Sequence, residues 1–122
     1  MSSYPLLPIN REASGAIEPY RIVSTTANDG VLQQSSAATD VHVGVSSNVR
    51  ADDGERIGVE HAGIVPVQYG ADGIAPGDQL TSDADGKAIV NDGTAGNVTL
   101  GTAMEGGDTD EIGAVLISPY VV

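Results

Sequence analysis

The 122-residue chain has no cysteine, no phenylalanine and no tryptophan, and its single lysine is Lys87. Without cysteine it can build neither a disulfide framework nor a cysteine zinc site. Without Phe and Trp, four tyrosines are the only aromatics, and the core falls to Val, Ile, Leu and Ala. No apolar run reaches the length of a membrane span, so no membrane partner is expected. The opening "MSSYPLLPINRE" lacks a charged n-region and an apolar h-region, which predicts a protein made in the cytoplasm. Helical patterning is nearly absent too: no long segment keeps apolar residues at i, i+3, i+4 and i+7. The length suggests one domain, burying roughly two-thirds of its unfolded surface.

What is abundant is acid. Seventeen Asp and Glu stand against five Lys and Arg, for a net charge of −12, and eleven of the acids are Asp. Residues 51–122 hold thirteen acids and two bases, whereas residues 1–50 are near neutral. Such a surface excludes nucleic-acid binding through phosphate contacts, which need Lys and Arg. It repels itself in dilute buffer, and molar salt screens that repulsion to about 3 Å. High Asp, scarce Lys and small apolar residues resemble the composition of proteins from extreme halophiles.

Short β-rich runs recur, bounded by Gly, Pro, Asn and Asp. Strands are expected at residues 18–24, 31–34, 41–45, 56–60, 63–69, 79–81, 88–90, 97–104 and 112–118. The separators, among them "ANDG", "RADDGE", "SDADGK" and "EGGDTDE", are rich in residues that tolerate or reach positive φ. Pro76-Gly77-Asp78 forms one turn, and Asp85-Gly86 closes a hairpin between two alternating runs. Sixteen glycines suit a tightly cornered structure. The expectation is an all-β fold, a small compact barrel or sandwich. Residues 1–16, "MSSYPLLPINREASGA", differ: two prolines and no alternation read as an extended N-terminal arm, ahead of a single β-rich body at 17–122.

Little in the sequence proposes chemistry. In "VHVGV", strict alternation puts Val41, Val43 and Val45 on one face and His42 on the other. A metal site would need His42 and His61 together with a carboxylate such as Glu60, and two surface or satisfied histidines are the simpler reading. No Gly-x-Ser-x-Gly elbow, phosphate loop or dinucleotide fingerprint occurs. A calcium loop from Asp83 would place Gly86 at position four, Lys87 at five and Thr94 at twelve, against the pattern of such loops on each count. No catalytic, cofactor or metal residue is assigned, and an enzyme is not expected.

The order of turns carries a resemblance. The strand pair at residues 63–70 precedes Ile74-Ala75-Pro76-Gly77-Asp78-Gln79-Leu80. Asp83-Ala84-Asp85-Gly86-Lys87 comes next, then Gly101-Thr102-Ala103-Met104-Glu105 and a final Val115-Leu116-Ile117 strand. This series resembles the small decoration, or capsid cement, proteins of tailed viruses, over roughly residues 16–120. The resemblance implies a compact β-barrel or β-clip-like body and a homotrimer that stabilises the shell from the virion's outer capsid surface. It also implies an N-terminal arm held by the major capsid protein, and it supplies no catalytic residues. The arm contacts are then expected at Tyr4, Leu6, Leu7 and Ile9 as apolar anchors, with Arg11 taking a carboxylate. The halophile composition would fit a virus of a halophilic host. The same Ile74-to-Leu80 turn also resembles the β-clip domains of sugar-acid dehydratases and antifreeze-type proteins. That gives the alternative, an accessory or carbohydrate-binding module without its own catalysis, for which four scattered tyrosines make a poor stacking platform.

Overall fold

The computed structural model describes residues 9–122, and among these it contains ten strands and no helix. Five of them, β1 (Ile9–Ala13), β2 (Ile22–Thr25), β3 (Val31–Gln34), β4 (His42–Ser46) and β5 (Arg56–Glu60), close a barrel in the order β1-β3-β2-β4-β5. The other five are β6 (Ile64–Gln68), β7 (Gln79–Ser82), β8 (Ala88–Val90), β9 (Val98–Ala103) and β10 (Ile112–Val121), in a second sheet ordered β6-β10-β9-β7-β8. The architecture is all-β, as the turn-bounded runs imply.

Strand β1 was not expected, since residues 1–16 read as an arm. It pairs antiparallel with β5, Ile9 opposite Val59 through Glu12 opposite Arg56, and parallel with β3 at Glu12 and Ala13. Ala13 is fully buried in the barrel core. A parallel partner lies far along the chain and leaves no hairpin signal, so local pattern alone does not reveal it.

Alternation along β2 joins the two halves. Val23 points into the barrel with Ala13, Ile17, Leu32, Ala51, Ile57 and Val59. Ile22, one residue away and on the opposite face, packs with Val45 into the core of the second sheet beside Val67, Leu80, Leu100 and Val115. That larger core also takes Tyr69, wholly buried, whose hydroxyl donates to the Glu105 carbonyl at 2.6 Å. A Cβ at Gly113 would overlap the Tyr69 ring, so the ring requires glycine there.

Strict alternation fails in β4. Val23 pairs with Gly44 and Ser24 with His42, which leaves Val43 as an extra, bulged residue. The bulge turns His42 onto the face that Val45 shares, toward the second sheet, while Val43 packs on the barrel core and Val41 is exposed. Val41, Val43 and Val45 therefore do not share one face, and His42 is buried.

The hairpin between β7 and β8 docks on the barrel. Gly86 holds φ +74, and its carbonyl accepts the Ile22 N–H at 2.8 Å. Arg21 Nη1 and Gln34 Nε2 both donate to the Asp85 carbonyl at 2.8 Å. The second turn has Pro76 and Gly77 between Ala75 and Asp78, with Gly77 at φ +95 and Asp78 N–H donating back to the Ala75 carbonyl. Pro presets φ at the first central position and Gly supplies the positive φ at the second.

Candidate functional site

His42 is the buried ionisable group nearest to chemistry. Its Nδ1 lies 3.0 Å from Ser35 Oγ and 3.2 Å from Ser24 Oγ, and those two hydroxyls are in close mutual contact. Its Nε2 lies 3.4 Å from Thr81 Oγ1, which donates to the Val98 carbonyl at 2.8 Å. Thr81 must then accept from the ring, so the network assigns the Nε2–H tautomer with Nδ1 accepting. Burial lowers the His42 pKa to about 4, against a smaller upward pull from Asp40. Ser24, Ser35, His42 and Thr81 are all buried, so a substrate cannot reach this trio of hydroxyls and imidazole. The cluster satisfies polar groups between barrel and sheet.

His61 is exposed at the end of β5, and His42 has both nitrogens committed, so the two do not form a metal pair. Among the described residues no group of three or more His, Asp or Glu is arranged to hold a metal ion. The acids instead staple turns. Asp83 Oδ1 accepts the N–H groups of Asp85 and Lys87 at 2.8 and 2.9 Å. Asp78 Oδ2 accepts from Ala75, Asp108 Oδ1 from Gly73, and Glu105 Oε1 from Ala114. Hydrogen bonds from Thr109 hold Asp72 below the usual carboxylate range, and those from Thr94 do the same for Asp92. These are backbone-satisfying roles that a high Asp content makes available.

The three described tyrosines do not converge. Tyr69 is in the core, Tyr20 is half-buried before β2 at φ +60, and Tyr120 is exposed on β10.

Of the expected arm contacts, Tyr4, Leu6 and Leu7 lie outside the described residues. Ile9 and Arg11 lie in β1, and Arg11 is exposed at one end of the barrel. There it borders a cavity of about 250 Å³ with a largely aliphatic floor that includes Leu32, Val43 and Val59. A second, polar hollow of about 270 Å³ runs from Arg11 and Gly30 to Arg56. Sequence reasoning missed Arg56. It sits opposite Glu12 across the β1–β5 ladder, a pairing with no local signature.

A different surface is apolar. Ile64 on β6 and Leu116 on β10 are paired directly, and both are exposed, at 59% and 40%. Pro66 faces Ala114 in the same ladder, and Met104 and Ile112 are exposed nearby. None of these residues is charged, on a chain of net charge −12.

A model of the phage cement protein family matches residues 14–117. The fold is similar to that in the crystal structure of the N base of the head fiber gp8.5 in bacteriophage phi29, with a TM-score of 0.72. That similarity covers 92% of this chain and 93% of the other at 23% sequence identity, and so speaks to the fold. Among curated proteins, no sequence match is found.

Proposed function

Because the chain belongs to the phage cement protein family, a structural family of the virion capsid, we propose that it binds the outside of an assembled shell as a homotrimer and stabilises it. The observation that carries this reading is the family match, which spans the barrel from Ser14 onward and nearly all of the second sheet. Its partners are the major capsid protein and two further copies of itself, and it is made in the host cytoplasm. The mechanism is mass action. A protein that binds the assembled shell but not its dissociated subunits stabilises the shell by RT ln(1 + [L]/Kd) at every copy. A trimer spanning several capsid subunits adds multivalency.

The exposed apolar patch of Ile64 and Leu116 supports self-association, with Glu105 at its border on the Ala114 N–H. The N-terminal arm is the proposed anchor on the shell, through Tyr4, Leu6 and Leu7, with Ile9 and Arg11 continuing that contact from β1. The net charge of −12 supports work in concentrated salt, as a halophilic host would provide.

Co-sedimentation with capsids that lack the protein tests binding, and capsid melting with and without it tests stabilisation. Sedimentation of the free protein between about 0.1 M and 2 M salt tests trimer and salt dependence together. A protein that stays in the supernatant at every salt concentration would overturn the reading.

A further inference from the structure

We propose that the groove at the barrel end, flanked by Arg11 and Arg56, docks a segment of the capsid shell that presents a carboxylate beside an aliphatic side chain. This rests on the capsid-binding reading above and specifies where one contact lies and what chemistry it takes.

The first observation is how little of β1 pairs with β3. Among the described residues β1 meets β3 at Glu12 and Ala13, whereas Ile9 through Glu12 all pair with β5. The cavity of about 250 Å³ is lined by Arg11 of β1, by the residues that lead into β3, and by Leu32, Val43 and Val59. A cavity with such a floor favours an aliphatic group over water, which finds few polar partners there.

The second observation is the placement of the cations. Arg21 donates to Gln68 and the Asp85 carbonyl, Arg50 pairs with Glu18 and Asp52, and Lys87 pairs with Asp110 at 2.6 Å. Among the described residues, Arg11 and Arg56 make no ion pair, and both line the groove. The acids beside them are Glu12 in the polar hollow and Asp29 at the cavity rim, and neither closes an ion pair with either guanidinium. A protein with five Lys and Arg has thus left two without an ion pair on one polar hollow, and Arg11 also borders the aliphatic cavity. A planar guanidinium fork matches carboxylate geometry, whereas most of the remaining surface repels an anion. Charge complementarity therefore selects an acidic partner segment at this place.

The test is decoration of capsids lacking the protein, titrated by co-sedimentation. The variants are R11Q/R56Q, the conservative R11K/R56K and the charge-matched control R50Q/K87Q. All three change exposed or half-buried side chains, and a thermal melt verifies the fold of each. We expect wild type and R50Q/K87Q to decorate alike, and R11Q/R56Q to bind at least about tenfold more weakly, with a flatter salt dependence. R11K/R56K should recover part of the loss, because the charge returns without the fork. Wild-type-like decoration by R11Q/R56Q would overturn the groove proposal and leave capsid binding standing. Failure of the wild type to decorate would remove both. If R11Q/R56Q instead loses self-association in free solution and still decorates, the groove serves a second copy and the proposal is wrong.

Discussion

The barrel and the second sheet divide the chain's resources unequally. Residues 9–60 hold all four arginines and eight acids, whereas residues 61–122 hold one lysine and nine acids. The apolar core is skewed the other way. Tyr69, Leu80, Leu100, Val67 and Val115 in the sheet are completely shielded, while Leu32 and Val59 in the barrel retain 6% exposure beside an open cavity. The sheet even borrows Ile22 and Val45 from the barrel. The lesson is a division of labour: the sheet supplies packing, and the barrel supplies most of the cations and a cavity beside Arg11. It can be broken from either side.

The largest effect should come from removing β1. Deleting residues 1–14 takes away a barrel strand that pairs with both β3 and β5, together with the buried Ala13. We expect loss of cooperative barrel unfolding in a thermal melt, because an opened barrel exposes two edges and its core. Deleting residues 1–8 spares every described strand and should lower capsid occupancy if the arm is an anchor. Equal stability of the two deletions would show that β1 is dispensable to the barrel.

Core truncation sharpens the contrast. Leu100→Ala in the shielded sheet core should cost about 3–5 kcal/mol, and Leu32→Ala, whose neighbours already border open space, about 2 kcal/mol. Denaturant melts of both measure the difference. Equal costs would mean that the two cores are packed alike.

His42 tests the joint between the halves, because it lies on β4 of the barrel and reaches Thr81 on β7 of the sheet. Its pKa is lowered from 6.5 to about 4, so between those values the unfolded chain binds a proton that the native fold does not. Stability from this group is fully present above pH 6.5 and is lost as pH falls toward 4, by about 3 kcal/mol in all. Carboxylate titration overlaps this window, and Asp72 and Asp92 titrate below it, so wild type is to be compared with His42→Gln. Both proteins lose stability through their carboxylates, and the unfolding free energy of the wild type minus that of the variant should fall further as pH drops from 6.5 toward 4. Parallel pH profiles would show that His42 is not buried in a neutral state.

How much of this was legible in the sequence follows from which signals are local. Nine strands announce themselves through β-rich runs between Asp, Asn and Gly turns, and each has a counterpart within a few residues. β1 does not: its partners lie far along the chain, and Pro5 and Pro8 precede it. The orientation of His42 depended on a bulge at Val43, which alternation cannot foresee. Arg11 stood out beside an apolar segment, whereas Arg56 gained meaning only when the ladder placed it across from Glu12. A count of cations against available acids was the one signal that could have drawn attention to it. The turn series carried the resemblance because turns fix the fold's corners, while pairings across the barrel leave no trace in a short window.

The smallest effect should come from glycines at turns, and it separates strain from contact. Gly86 and Gly93 both have positive φ, +74 and +86, so a β-branched residue is strained at either. They differ in surroundings. A Cβ at Gly93 meets nothing within 4 Å, whereas one at Gly86 would lie 2.7 Å from Gln34 Cγ and 3.3 Å from the Ile22 carbonyl oxygen. Gly93→Val therefore reports backbone strain alone, about 1 kcal/mol, and Gly86→Val adds displacement of the hairpin from the barrel, about 2–3 kcal/mol in total. The Gly86 side chain would also disturb the Arg21 and Gln34 bonds to the Asp85 carbonyl, which tie sheet to barrel. Thermal melts of the two variants give the comparison. If Gly86→Val costs no more than Gly93→Val, the hairpin is a free turn, and the two halves are joined by the shared Ile22 and Val45 core rather than by this contact.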